Sequence, residues 1–280
     1  MKQSLKTALT IILVIGAVFI LITLLKKPAQ DRNWTDDAEV LPDITISDSK
    51  VKVDNLRDWR YKNKETISRD FYNEEFDLDL IENTYFLLNP FGKWEGVGHT
   101  FFLFEFSDGK TVSVSVEARR EVDEKFSAIR GLFNNFEQWY TWGSAADLFS
   151  RRAIFHQEDL YMYKLNIKPE TSRGLFIDIA KTTEKLETEP AFYNTAFSNC
   201  TNVLADSANR VYSGSIPWNW ARVFTGFSDD KLYELKLIPH DKPFDEIFQE
   251  ARIDLQIKEI IEKEEKLYRD DFWYELRSLI

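Results

Sequence analysis

The sequence predicts an α+β domain in which an antiparallel sheet packs on a helix carrying the chain's single cysteine. Three observations carry that prediction. Phe101–Phe106 and Thr111–Glu117 are strand-like runs, the second alternating Val112, Val114 and Val116 with Ser113, Ser115 and Glu117, and Asp108-Gly109 between them signals a hairpin turn. Leu160–Ile167 repeats the alternation with Tyr161, Tyr163 and Leu165. From Cys200, helical spacing places Leu204, Ala208 and Val211 on one face, and Thr171–Leu186 reads as a second helix starting just after Pro169.

In chain order, Thr7 to Leu25 carries no charge and is rich in Ile, Leu and Val. At ~1.5 Å per residue it is long enough for a ~30 Å hydrocarbon core. Residues 1–27 are therefore expected to be a transmembrane anchor. A cleaved signal peptide is the rival, but the run exceeds an h-region of ~7 to 15 residues and ends in Lys26-Lys27-Pro28 without a small-residue cleavage site. The only cysteine is Cys200, so there is no lipobox. Lys2 and Lys6 on one flank balance Lys26, Lys27 and Arg32 on the other, and charge gives no orientation.

Residues 28–43 are polar and acidic and read as a linker. Residues 44–243 form the expected domain: strands at Ile44–Val53 and Thr84–Leu88, the hairpin, helices at Glu121–Phe133 and Ser144–Ala153, then the strand and two helices above. Residues 244–280 are Glu/Lys-rich, with Ile247, Phe248, Ala251, Leu255, Ile260 and Ile261 spaced for one or two amphipathic helices.

Chemistry gathers on two residues. Cys200 opens a helix, where unpaired N–H groups and the helix dipole favour the thiolate, and His99 opens a strand in Gly98-His99-Thr100. An imidazole within reach of that thiol makes an activated nucleophile. The plainer reading is that Cys200 is a small buried hydrophobe and His99 a core histidine. His156 and His240 lie in polar, turn-like contexts and read as ordinary.

A resemblance favours the chemical reading. Gly98 to Lys110, then Ser113-Val114-Ser115-Val116-Glu117-Ala118-Arg119-Arg120-Glu121, then Phe192-Tyr193-Asn194-Thr195 and Asn199-Cys200-Thr201, resemble the DUF4105 family over roughly residues 50 to 225. That family is also described as the N-terminal periplasmic domain of the Bacteroides-type lipoprotein N-acyltransferase. Histidine before cysteine further resembles the permuted, papain-like branch of the NlpC/P60 superfamily, whose members tend to act on lipid-borne acyl groups. The resemblance implies a papain-like NlpC/P60 fold facing the periplasm or cell exterior. It also implies acyl transfer or hydrolysis through a Cys200 thioester, with His99 as base and then acid.

The third catalytic residue is expected at Glu117, with one difficulty. A two-residue turn at Asp108-Gly109 sets His99 opposite Ala118, and Glu117 orients His99 only if a bulge shifts the register by one. Arg119 and Arg120 are candidates for an anionic headgroup or an oxyanion, against the plainer reading as a structural ion pair. Asn199, Tyr193 and Asn194 are further substrate or oxyanion candidates, Asn199 reading first as a helix N-cap. Trp218 and Trp220, near a turn, suit either a membrane interface or a pocket wall.

Other classes are excluded or less favoured. Without Lys2, Lys6, Lys26 and Lys27 the formal charge of -11 falls to about -15, which argues against nucleic acid and against broad adhesion to anionic lipid. Three scattered histidines and one cysteine give no metal-ligand spacing, and no Walker loop or dinucleotide fingerprint implies a cofactor. The expected partners are the membrane and a lipid or lipoprotein substrate. A cysteine amidase or peptidase acting on cell-wall peptide, and a non-enzymatic envelope binding or assembly protein, are the alternatives. Nothing in the chain assigns an oligomeric state.

Overall fold

The computed structural model describes residues 6, 7, 10, 14, 16, 18, 21, 23, 25–263 and 269–280. Most of the expected anchor, residues 7–25, therefore lies outside the described residues. Among those described, no helix is long and apolar enough to cross a membrane.

Among the described residues, nine strands form one large sheet: β1 (Asp43–Ser47), β2 (Lys50–Lys62), β3 (Glu65–Asp77), β4 (Ile81–Pro90), β5 (Gly98–Phe106), β6 (Thr111–Arg119), β7 (Phe136–Gly143), β8 (Tyr161–Lys164) and β9 (Phe192–Tyr193). The spatial order is β1-β2-β7-β6-β5-β4-β8, with β3 on β2 and β9 on β7. All pairs are antiparallel except a single parallel contact, Arg57 with Gly143, between β2 and β7. The helices are α1 (Asp36–Glu39), α2 (Ala128–Gly131), α3 (Ala145–Ser150), continued by a π-helical segment Arg151–His156, α4 (Pro169–Thr188), α5 (Cys200–Val211), α6 (Ser228–Glu234), α7 (Phe244–Glu250), α8 (Asp254–Lys263) and α9 (Arg269–Leu279).

The central strands are buried on both faces, so the fold is α+β with a helical layer on each side of the sheet. Phe102, Phe104, Val112, Val114 and Val116 face Phe176 and Ile179 of α4 and Leu204 of α5. Phe101 and Leu103, one residue out of phase, face Ala146 and Phe149 of α3, Ile257 of α8 and Phe272 of α9. The alternation of β-strand side chains thus divides one hairpin between two cores.

Several expected elements change. Ile44–Val53 is two strands, because Asp48 takes a positive φ of 52° and turns the chain. The expected helix Glu121–Phe133 shrinks to α2, because the backbone after β6 pairs with the N-terminal segment: Thr35 N–H donates to Arg120 O, and Val122 N–H to Asn33 O. The same pairing draws residues 28–43, read as a linker, against the domain, where Trp34 is buried beneath the Arg119 guanidinium. Among the described residues of 244–280 stand α7, α8 and α9. They break where Ala251 O accepts from Met162 N–H and Ile253 N–H donates to Leu160 O, extending the sheet at β8.

Candidate active site

The site begins with a turn. Gly109 N–H donates to Phe106 O and Phe106 N–H to Lys110 O, so three residues, Ser107-Asp108-Gly109, connect β5 to β6. Gly109 supplies the φ of +89° that such a turn with a bulge requires. Phe101 consequently faces Ser115 and Glu105 faces Thr111, one residue away from the register of a two-residue turn. Continued by two residues, the ladder sets His99 opposite Glu117 rather than Ala118.

His99 Nε2 lies 2.6 Å from Ser115 Oγ and 3.2 Å from Glu117 Oε1. Ser115 donates its only hydrogen to Glu117 Oε1, at 2.9 Å. Ser115 Oγ therefore accepts from His99, which places a proton on Nε2 and leaves the Nδ1 lone pair for a second partner. The thiol at the start of α5 shares a cavity with His99, and its charge is coupled to His99 and Thr100. Side chains from one sheet face thus meet a helix packed on the other, at the end of the β5–β6 ladder.

The charges are mutually stabilising. Burial pushes the Cys200 thiol up, but His99 and Thr100 outweigh it and the thiol is held below its ordinary range. Burial pushes His99 down, and Glu117 and Cys200 raise it above its ordinary value. The Glu117 carboxyl, raised by burial, is pulled well below the carboxylate range by His99 and Arg152. This is the pattern of a thiolate–imidazolium pair backed by a carboxylate.

Arg152 is a site residue the sequence reading missed. Its guanidinium lies 2.6 Å from Glu117 Oε1. It comes from the π-helical segment, a geometry often found where helices serve a site. Asp147 anchors the preceding helix by accepting from Arg57 Nε at 2.8 Å, the Trp59 N–H at 2.9 Å and the Tyr61 hydroxyl at 2.9 Å. The available signal was the Arg151-Arg152 pair at the end of a largely apolar expected helix, where buried guanidinium groups demand acidic partners.

The remaining candidates divide. Tyr193 is buried and lines the site cavity together with Cys200. Arg120 lines the site cavity and pairs with Asp37 at 3.5 Å. Arg119 points elsewhere: it donates to Ala38 O at 3.0 Å and lies over the Trp34 ring, so it ties the N-terminal segment to the sheet. Asn199 is the N-cap, accepting from Asn202 N–H at 2.8 Å, and its amide donates to Thr195 O and Arg222 O. Asn194 accepts from the Ala196 and Phe197 N–H groups and closes the turn before the helix. The carboxamides of Asn199 and Asn194 are engaged in shaping backbone.

His99, Glu117 and Cys200 share a cavity of about 290 Å³ with Arg120, Arg151, Arg152, His156, Glu158 and Tyr193. Burial and the two neighbouring arginines push His156 down to about 3, so it stands there as a neutral imidazole. A second, apolar cavity of about 390 Å³ lies along α5, walled by Thr201, Leu204, Ala205 and Ala208. Among the described residues no group of three His, Cys, Asp or Glu side chains is arranged to hold a metal ion.

Residues 68–226 match the family model described as the Lnb N-terminal periplasmic domain. Cys200, His99, Ser115, Glu117, Arg152 and Tyr193 all fall within the matched span. No curated protein and no solved structure matches the chain.

Proposed function

The chain belongs to the family of Lnb N-terminal periplasmic domains, and from that premise we propose that it is a cysteine-dependent acyltransferase or acyl hydrolase acting on lipid or lipoprotein acyl groups at the periplasmic face of the membrane. The observation that carries this reading is the cluster of Cys200, His99 and Glu117 in one cavity, with His99 bonded to Ser115 and paired with Glu117. It puts a thiol and a base in reach, and a carboxylate behind the base. The family's periplasmic character supplies the compartment. The uncharged stretch Thr7–Leu25 would hold the domain at the inner membrane, and a permuted papain-like fold of NlpC/P60 type is part of the same proposal.

The steps follow from the geometry. The Cys200 thiolate attacks the acyl carbonyl carbon, and the Cys200 N–H and the Tyr193 hydroxyl of the same cavity are offered to the oxyanion. As the tetrahedral adduct collapses, the carbon–oxygen bond of the ester breaks and protonated His99 gives its proton to the leaving alkoxide. A thioester remains on Cys200. An amine or water then attacks that carbonyl, His99 takes its proton, and the carbon–sulfur bond breaks to restore the thiolate. Glu117 and Ser115 hold the ring and stabilise its charged form throughout. Arg120 is the side chain offered to an anionic headgroup.

The test is mass spectrometry of Cys200 after incubation with phospholipid vesicles, followed by addition of a lipopeptide with a free amino terminus. An acyl mass on Cys200, discharged by the amine and absent in Cys200→Ser, is expected. Cleavage of muropeptides without acylation would replace this reading with a cell-wall amidase. Full complementation of a deletion strain by Cys200→Ala would replace it with a binding or assembly protein.

A further inference from the structure

The cavity along α5 is not used by the chemistry above, yet its wall is the helix that carries the nucleophile. Thr201 follows Cys200 directly, and Leu204 lies one helical turn below it. Opposite them stand Phe86 and Phe102 of the sheet. The Thr201 hydroxyl bonds that of Thr100, the residue after His99, at 2.9 Å. The apolar chamber therefore begins at residues adjacent in sequence to both Cys200 and His99.

The chamber's chemistry is selective. Apolar side chains dominate its inner wall, and its volume of about 390 Å³ accommodates roughly a dozen methylene groups if each takes about the ~30 Å³ of a water molecule. The polar residues that line it include Lys168, which is exposed, and Lys231. Tyr212 lines it at 69% exposure, and the segment that continues the wall exposes Trp218 (66%) and Trp220 (51%). Large exposed aromatics flanking the lining residue Asn219 suit the boundary between water and lipid.

We propose that this cavity is the binding site for the hydrocarbon chain of the acyl donor, entered from the membrane side past Trp218 and Trp220. The assignment rests on the acyl-transfer reading for the chain's destination, but chain binding itself is measurable without any reaction. With the alkyl tail along α5, the carboxyl end of the donor lies toward the Thr100–Thr201 pair and Cys200.

The experiment is equilibrium binding of a fluorescent long-chain fatty acid to the full chain in detergent-free nanodiscs, with displacement by saturated fatty acids of increasing length. Cys200→Ser should bind like the parent. Ala208→Phe, which fills the chamber, should weaken binding at least tenfold and shift the preferred competitor to shorter chains, with the melting temperature as the check on folding. Ala205→Val, a smaller intrusion, should give an intermediate shift and keeps the test decisive if Ala208→Phe does not fold. Equal binding by parent and both cavity variants, or no saturable binding by the parent, overturns the assignment. Chain-length-dependent binding without acylation of Cys200 would uphold the assignment and overturn the thioester reading alone.

Discussion

Glu117 Oε1 lies 3.2 Å from His99 Nε2, and the Ser115 hydroxyl contacts both groups, at 2.9 and 2.6 Å. The carboxylate holds the ring and favours its charged form. Glu117→Gln keeps the shape and removes the charge. It is expected to cut the rate of acylation by roughly 10² to 10⁴-fold, as loss of a charge-orienting carboxylate does in a triad. Ser115→Ala, which leaves the carboxylate in place, should cost less. Single-turnover rates of the two variants check the order.

The depressed Cys200 and elevated His99 titrations set the pH behaviour. On the acid side, activity rises as the thiol loses its proton; on the alkaline side, it falls as His99 loses the proton that the leaving group needs. Alkylation by iodoacetamide should follow only the first limb, titrating below the ~8.5 of an unperturbed thiol. In His99→Ala the stabilising cation is gone while burial remains, so the midpoint should move above that value. A midpoint unchanged by the substitution would break the ion-pair account.

These relationships show what the sequence carried and what it did not. Cys200 at a helix start and His99 at a strand start are legible because both depend on local spacing and on motifs around them. The partnership of Glu117 with His99 depends on one residue in a turn: Asp108-Gly109 reads as a two-residue loop, whereas Ser107 joins it to make three. The long strand β3 escapes because it is largely exposed and charged, so no apolar alternation marks it. Arg152 escapes for a different reason. Its partner is 35 residues away in sequence, and the π-helical geometry that delivers it has no local signature.

Gly109 offers a separate test of that turn. Its φ of +89° is strained for any residue with a Cβ, although the space around it is open. Gly109→Ala should lower stability by about 1 kcal/mol. Paired β5 and β6 have buried faces that resist slipping, so the register should hold and Cys200 alkylation should be unchanged. Chemical denaturation together with the alkylation profile distinguishes the two effects.

Tyr193 is expected to act late. It shares the cavity with Cys200 but is not among the groups that set the thiol's charge. Tyr193→Phe should leave the iodoacetamide profile of Cys200 in place, because alkylation forms no oxyanion. Acylation should slow by roughly 10² to 10³-fold, the range for losing one oxyanion donor. Parallel loss of both reactivities would instead mean that Tyr193 positions the helix start.

Arg152 couples the site to stability. Glu117 is held well below the usual carboxylate range by His99 and Arg152 against the opposing effect of burial. A carboxyl depressed on folding contributes stability that is present above its unfolded pKa near ~4.3 and lost as pH falls through the folded value. Arg152→Ala removes one of the two cations and leaves a partly desolvated carboxylate, at a cost of about 3 kcal/mol near pH 7. The deficit should narrow on acidification, where Glu117 protonates more readily in the variant than in the parent. Adding Glu117→Gln to Arg152→Ala removes the unpaired charge, so the double variant should be more stable than Arg152→Ala alone. A double-mutant cycle by denaturant titration at pH 7 and pH 5 measures that coupling, and additive losses at both pH values would show that Arg152 and Glu117 act independently.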